Sequence, residues 1–561
     1  MKYVKFAKST IALSLMLSFG YANAATYEIK EIPNVKDHRQ QFSTALNNVG
    51  EVVGIARSSV NFPFYFENYI TNASASIRAN CGISDAEISA GQLDASSASC
   101  LKSTLSNTSG NFVDSPSYQK IGDVVSFKYS AGETTQTTLT DVFVEELNSL
   151  SRSTVEQLND INNLGFAAGT ASAPYRKISF QQTGENASES PITLFERDFT
   201  SRATVINNGN VLTIAPKEVT FGGVSAATSI TDNNFVSGYQ SVSVREVAQT
   251  TIENDCKGES LPENVCAWSL AQNLSLYDLR PVVWSIDNEG NVLEKSEYPL
   301  AFTPKENQNG NYVAYASAVN EMGVAVGYGD APATDNDNVI LKFPLLFKDG
   351  TTIQILEDNR DYDGGYATDI NNQGLVVGHL QKFVDRQYND EFFVYDINTG
   401  EIKTPTTFYK SAQSQAAAIN DNGYVVGVAE YELTTSQIRR KHGFLYDLNT
   451  DQVLDLNDLT ECQSKYEIVE VSDINNNNQI SATAIKTVNV VNALGEPVLD
   501  DNGNNVTTTQ PVAVLLEPIS GGQIDDCGEL EEPSYERQGM STSIWLLATL
   551  SFFAVIRRRF I

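Results

Sequence analysis

The phrase Ala367-Thr368-Asp369-Ile370-Asn371-Asn372-Gln373-Gly374-Leu375-Val376-Val377-Gly378 constrains the fold of this chain more than any other feature, because variants of it recur. Ile370 ends one short apolar run, and Leu375-Val376-Val377 opens another rich in β-branched residues, which suit a pleated surface. The intervening Asn-Asn-Gln-Gly is turn chemistry. Asn hydrogen-bonds its own main chain and tolerates left-handed backbone, and Gly takes positive φ without steric cost. The phrase therefore predicts strand, tight turn, strand. Its last glycine, inside or just after the second strand, predicts a bend or the close approach of another backbone.

Six further copies align with it. They are Ala45-Leu46-Asn47-Asn48-Val49-Gly50-Glu51-Val52-Val53-Gly54, Ile161-Asn162-Asn163-Leu164-Gly165-Phe166-Ala167-Ala168-Gly169 and Val319-Asn320-Glu321-Met322-Gly323-Val324-Ala325-Val326-Gly327, then Ile419-Asn420-Asp421-Asn422-Gly423-Tyr424-Val425-Val426-Gly427. Two depart from the pattern. Ile230-Thr231-Asp232-Asn233-Asn234-Phe235-Val236-Ser237-Gly238 puts Asn234 at the turn glycine, and Ile474-Asn475-Asn476-Asn477-Asn478-Gln479-Ile480-Ser481-Ala482 lacks both glycines.

Strong copies carry a sequel. Phe392-Phe393-Val394-Tyr395-Asp396 and a turn at Asn398-Thr399-Gly400 follow Gly378, while His442-Gly443-Phe444-Leu445-Tyr446-Asp447 and Val453-Leu454-Asp455-Leu456 follow Gly427. The unit is thus four short strands, and the turn asparagines at 320, 371, 420 and 475 stand 51, 49 and 55 residues apart. Four strands in about 40–50 residues is the pattern of a β-propeller blade. Tyr27 to Ile32 alternates like a fourth strand, whereas the last unit stops after its third, Val512 to Leu516. An N-terminal strand completing the last blade would close a ring and hide the sheet edges. The expectation is an all-β propeller of seven four-stranded blades over residues 25–530, with a linear β-solenoid as the rival.

The phrase together with His442-Gly443-Phe444-Leu445 resembles the extracellular HAF repeat, best over 316–460 and more loosely over 44–240. With both its ends, the chain also resembles a family of exported proteins designated domain of unknown function 3466. Neither resemblance implies a catalytic residue.

The two ends speak of export. Lys2, Lys5 and Lys8, the apolar Ile11 to Phe19 and Ala22-Asn23-Ala24 make residues 1–24 a secretory signal, cleaved between Ala24 and Ala25. Residues 531–543 read as a linker. They lead to a short transmembrane segment at 544–561, apolar from Ile544 to Ile556 and ending in Arg557-Arg558-Arg559. Thirteen helical residues span roughly 20 Å, short of the ~30 Å hydrocarbon core unless their flanks join in. The arginines belong on the cytoplasmic side, leaving the repeats outside. This layout resembles a GlyGly-CTERM sorting tail, which implies a rhomboid-type protease cutting near Gly539. A permanent single-span anchor is the alternative.

Six cysteines in an exported chain fit three disulfides, and sequence proximity favours Cys81–Cys100, Cys256–Cys266 and Cys462–Cys527 among fifteen pairings. The first two pairs fall near 71–125 and 240–280, where the repeat spacing stretches, so each reads as an insertion stapled locally. The Ser/Ala-rich stretch 71–110 is the candidate for a recognition loop.

A net charge of −31 excludes nucleic acid as a partner and leaves weak calcium binding open. Asn359-Arg360-Asp361-Tyr362-Asp363-Gly364 starts like a calcium loop, but Ile370 stands where that loop needs Glu. His38 and His379 are isolated and His442 sits within the repeat, so no cofactor or transition-metal site is expected. No nucleophile elbow or phosphate loop is present. The reading is an exported binding or scaffold module for a protein or glycan. A carbohydrate-active hydrolase or lyase and a structural surface component are the alternatives, since fold does not decide function. Mass spectrometry of the exported chain is expected to find Ala25 as its first residue. A retained leader would remove the export reading.

Overall fold

Seven four-stranded antiparallel sheets, each opening on one copy of the phrase, follow one another in the computed structural model. It describes residues 26–69, 75–106, 116–184, 187–271, 275–305, 310–384, 387–432 and 439–524. The fifth sheet is typical: Gly364–Ile370, Leu375–Val384, Gln387–Asp396 and Ile402–Lys403 lie side by side in chain order. The innermost strands of the other six are His38–Leu46, Glu156–Ile161, Ser225–Ile230, Ala314–Val319, Ser414–Ile419 and Glu467–Ile474.

The apolar doublets of the second strands explain why the sheets stand as blades. Val425 and Val426 point to opposite faces of one sheet, and both are fully buried. Val425 packs with Val377 and Phe392 of the preceding blade, while Val426 packs with Ile468 and Ile480 of the following one. Val376 and Val377 are divided in the same way. A sheet covered on both faces needs such unbroken apolar runs. One apolar cluster fills each of the seven blade junctions, including the junction between the last blade and the first, where Ala513 and Leu515 meet Leu46, Val52 and Phe127. The architecture is therefore a closed seven-bladed propeller, and the solenoid alternative is set aside.

The ring closes as expected from the sequence. Tyr27–Glu31 pairs antiparallel with Thr507–Pro518, in register from Tyr27↔Pro518 to Glu31↔Val514, and supplies the outermost strand of the seventh blade.

The last glycine of the phrase has a steric cause. A Cβ on Gly378 would lie 2.0 Å from the Tyr366 carbonyl oxygen, and Gly54, Gly169, Gly238, Gly327 and Gly427 meet the carbonyl of their own innermost strands at 1.9–2.1 Å. Each innermost strand bulges three residues before the turn residue, at Thr368 in the fifth blade, and the bulge pushes the backbones together. In the seventh blade Ala482 takes the place of the last glycine, opposite an innermost strand that carries two bulges.

Inserted segments lie between second and third strands, at the end of each blade away from the phrase's turn. The first insertion contributes helices at Ala75–Asn80, Asp85–Ala90 and Ala95–Ser106, joined by the Cys81–Cys100 disulfide. The third blade's insertion contributes Glu246–Asp255 and Glu263–Ala271, joined by Cys256–Cys266. Cys462 is disulfide-bonded, and its expected partner Cys527 lies outside the described residues. So do Ala24, Ala25, Gly539, the leader and the segment expected to cross the membrane. Among the described residues, no helix is long and apolar enough to cross a membrane.

Sequence reading missed two excursions. The second blade inserts a hairpin, Arg176–Phe180 with Ile192–Glu196, and the seventh carries its hairpin onward through residues 490–506. Together with the first and third insertions they form a continuous belt. Asn61 N–H donates to Ala493 (2.8 Å), Phe195 N–H to Pro116 (2.7 Å) and Thr183 N–H to Glu259 (2.8 Å).

Deleting residues 26–31 would bare the edge of Thr507–Pro518, a row of unpaired backbone groups that templates association. The truncated chain is expected to melt at lower temperature and to form concentration-dependent oligomers in size-exclusion chromatography. A monomer of unchanged stability would refute the closure.

Candidate functional site: the central channel

All seven turns converge on a polar cavity of about 460 Å³ at one mouth of the central channel. Two rings of hydrogen bonds surround it. In the first, the turn asparagine of one blade donates its side-chain amide to the corresponding carbonyl of the next: Asn47 to Asn162 (3.0 Å), Asn162 to Thr231 (2.9 Å), Asn320 to Asn371 (3.3 Å), Asn371 to Asn420 (3.1 Å), Asn420 to Asn475 (3.0 Å) and Asn475 back to Asn47 (2.9 Å). The Oδ1 of each asparagine accepts the N–H groups two and four residues on; for Asn371 these are Gln373 (3.1 Å) and Leu375 (2.9 Å). The asparagine thus closes its own turn and grips its neighbour with one side chain.

The second ring joins the next residue in each copy, backbone N–H to side-chain oxygen. It runs Asn48 to Asn163, Asn163 to Asp232, Asp232 to Glu321, Glu321 to Asn372, Asn372 to Asp421, Asp421 to Asn476, and Asn476 back to Asn48, at 2.7–3.0 Å. At the third blade Thr231 has no amide to send forward. There the longer Glu321 side chain reaches back and accepts both Asp232 N–H (2.9 Å) and Asn233 N–H (2.8 Å).

Three carboxylates stand two residues before the turn position. Asp160 accepts Ile161 N–H (2.7 Å) and, across the junction, Ile230 N–H (2.8 Å). Asp369 accepts Ile370 and Ile419 N–H (2.8 Å each), and Asp473 accepts Ile474 (2.8 Å) and Leu46 N–H (2.9 Å). Desolvation raises all three carboxyl groups above the ordinary range, Asp369 to about 6 and Asp473 well up. Their mutual repulsion adds to this, while the N–H bonds oppose it.

A second feature lies outside the lining of that cavity. Rings of Tyr239, Tyr315, Tyr328, Tyr366 and His379 touch in sequence across the third, fourth and fifth blades, with centroids 4.8, 5.1, 4.5 and 5.1 Å apart. Tyr315 faces Tyr328 across one strand pair, and Tyr366 faces His379 across another. Burial raises the Tyr239, Tyr315 and Tyr328 hydroxyls above their ordinary range. Among the described residues none of the four hydroxyls has a hydrogen-bond partner, and none is sealed from solvent without one. Lys342, paired with Asp330 at 3.2 Å, lies 6.0 Å from the Tyr315 ring. Sequence reading missed this row, although every Tyr or His on its second strands directly follows the phrase's last glycine.

The other sequence candidates are dispersed. His38 is buried, donates from Nδ1 to Lys36 O and accepts from Arg152 at Nε2 (2.8 Å each), so desolvation and Arg152 hold it neutral with a lowered pKa. His379 belongs to the tyrosine row. His442 bonds Asp455 at 2.6 Å and stacks on Tyr431, 3.5 Å between centroids. In the calcium-like run, Asn359 is buried and bonded to Thr334 N–H (2.7 Å), Arg360 pairs with Asp358, and Asp363 accepts Phe383 N–H (2.9 Å). The stretch 71–110, expected to be a loop, is over its described part a helical subdomain with its own core of Ile77, Leu93, Leu101 and Leu105. Among the described residues, no group of three or more His, Cys, Asp or Glu side chains could hold a metal ion.

A family model, "Protein of unknown function (DUF3466)", matches residues 5–559, and the chain belongs to that family. No curated protein matches it. Among solved structures it is similar to the Pyrococcus horikoshii acylaminoacyl peptidase (14% identity, 59% of this chain and 46% of that one, TM-score 0.27). It is also similar to the β-propeller domain of the Pyrococcus furiosus Trilobed protease (10%, 63% and 95%, 0.29) and to Porphyromonas gingivalis dipeptidyl peptidase 4 (10%, 70% and 55%, 0.30). The chain thus matches about half the length of both whole peptidases.

Asn371→Ala removes one donor and an acceptor of two bonds at a residue only 4% exposed. With buried unsatisfied groups costing about 1–3 kcal/mol each, a loss of roughly 2–4 kcal/mol in denaturant unfolding is expected. Asp369 has a folded pKa raised above its unfolded value, so its contribution to stability is fully present below about pH 4 and is lost as pH rises through about 6. Carboxyl NMR is expected to show that high titration midpoint; an ordinary carboxylate value would remove the argument.

Proposed function

We propose that this is an exported binding module that presents the aromatic row across its third, fourth and fifth blades to a glycan or protein ligand. The observation that carries the proposal is the set of four tyrosine hydroxyls without hydrogen-bond partners among the described residues, held on rings that touch across three blades. A tyrosine supplies flat apolar area and a polar tip at small conformational cost, which makes it a good recognition residue. The disulfides Cys81–Cys100 and Cys256–Cys266 fit an oxidising compartment, where the leader would deliver the chain. The C-terminal segment would hold it at the membrane until or unless a rhomboid-type protease cuts near Gly539.

One observation favours a hydrolase or lyase instead: Asp369, raised to about 6, opens on the channel mouth with Asp160. Against it, the backbone N–H groups clamping these carboxylates belong to the blade junctions, which accounts for their placement without chemistry. The full chain, exported by its own leader, would be tested by glycan array and by pull-down. Tyr315→Phe and Tyr328→Phe keep the rings and remove the hydroxyls. They are expected to weaken the captured ligand about 3–10-fold at unchanged melting temperature, the worth of one hydrogen bond. No saturable binding would sink the proposal, and turnover abolished by Asp369→Asn would install the rival.

A further inference from the structure

The chain is strongly acidic, yet one cavity gathers cations. Between the first blade, the helix Ala95–Ser106 and the seventh blade's hairpin lies a space of about 590 Å³ lined by Arg39, Arg57, Lys102, Ser99, Ser103 and Asp123. Asp123 is the single acid in its lining among the described residues, and its charge is already committed. It is 8% exposed and bonded to Lys102 at 2.6 Å and to Arg152 at 2.8 Å. Arg39 donates to the Ser58 and Val491 carbonyls at 3.2 and 3.3 Å and meets no carboxylate among the described residues. Arg57 lies over the Phe42 ring, 4.8 Å from its centroid, and its guanidinium has no hydrogen-bond or ion-pair partner among the described residues. Burial, with the charges of Arg39 and Arg152 nearby, pulls the Lys102 ammonium below its ordinary pKa, against the attraction of Asp123. Ser99 and Ser103 add hydroxyls without hydrogen-bond partners among the described residues.

We infer that this cavity is an oxyanion site, taking a sulfate, phosphate or carboxylate group on the free edges of Arg39 and Arg57 with the serine hydroxyls beside them. Guanidinium groups held flat on a ring or fixed by carbonyls present their remaining N–H edges in the planar, forked geometry that oxyanions match. The chain's net charge of −31 does not forbid this, since charges more than about 8 Å away are largely screened at physiological ionic strength and the cavity's own surplus decides. The helix that walls the site is pinned at Lys102 and stapled by Cys81–Cys100, so the cavity is preformed.

The full chain is titrated calorimetrically with sodium sulfate, sodium phosphate and sodium galacturonate at constant ionic strength. At least one is expected to saturate and to raise the melting temperature. Arg57→Gln is expected to weaken that binding at least tenfold while lowering the unliganded melting temperature only slightly, because its guanidinium gives up the contact with the Phe42 ring but no hydrogen bond or ion pair among the described residues. Arg39→Gln is expected to weaken it similarly, and its own fold is checked by circular dichroism. Saturation by the inorganic ions alone assigns the site to a tetrahedral oxyanion, and by galacturonate alone to an acidic sugar. Failure of all three to saturate, or equal affinity in Arg57→Gln, overturns the inference and leaves the tyrosine-row reading standing.

Discussion

A ring of blades survives only if the last junction is as good as the others, and here the asparagine of the turn meets that requirement. Its Oδ1 closes the local turn and its Nδ2 bonds the neighbouring backbone, so one residue type repeated around the axis satisfies both local and long-range needs. The bond from Asn475 to Asn47 spans 428 residues of sequence at 2.9 Å, no different from bonds between consecutive blades. Backbone groups at the narrow centre of a propeller have little room for water, and leaving them unpaired is costly. The hydrophobic junctions supply most of the driving force, but they are non-directional; the asparagine ring fixes angle and register.

This division explains what could be read before any coordinates. The turn asparagine, the turn glycine and the last glycine are each dictated by backbone geometry, so they recur visibly and their spacing reveals the blade. Departures are readable as well, once their compensation is known. Thr231 loses the forward amide and Glu321 reaches back to replace the link, while Ala482 stands opposite a strand that bulges twice rather than once. The hairpin at Arg176–Phe180 and Ile192–Glu196 was invisible for a different reason. It has no cysteine staple, and its polar alternation resembles any surface loop. The two insertions that were found announced themselves by their cysteines.

The tyrosine row shows where sequence pattern stops. Tyr239, Tyr328 and His379 occupy one repeat position, directly after the last glycine, where other copies place Ile55, Thr170, Val428 and Thr483. A residue that varies at a fixed repeat position is free of the scaffold's demands. Only the closed wheel, however, shows that the aromatic choices fall in neighbouring blades and touch. The cation cavity was hidden more thoroughly, since Arg39, Arg57 and Lys102 come from two strands and an inserted helix.

The two ends of the molecule differ in electrostatic logic. At the turn mouth, Asp160, Asp369 and Asp473 are held close enough to raise one another's pKa, and backbone N–H groups rather than cations stabilise them. The arrangement staples junctions at the cost of repulsion once the groups ionise. On the insertion face, positive charge exceeds what Asp123 can neutralise, and the excess lines an open cavity. Arg39 and Arg57 stand beside one cavity and, among the described residues, meet no carboxylate, although the chain has 69 acidic residues against 38 basic ones. A cavity wall that withholds its counter-charge keeps that position for a group arriving from outside.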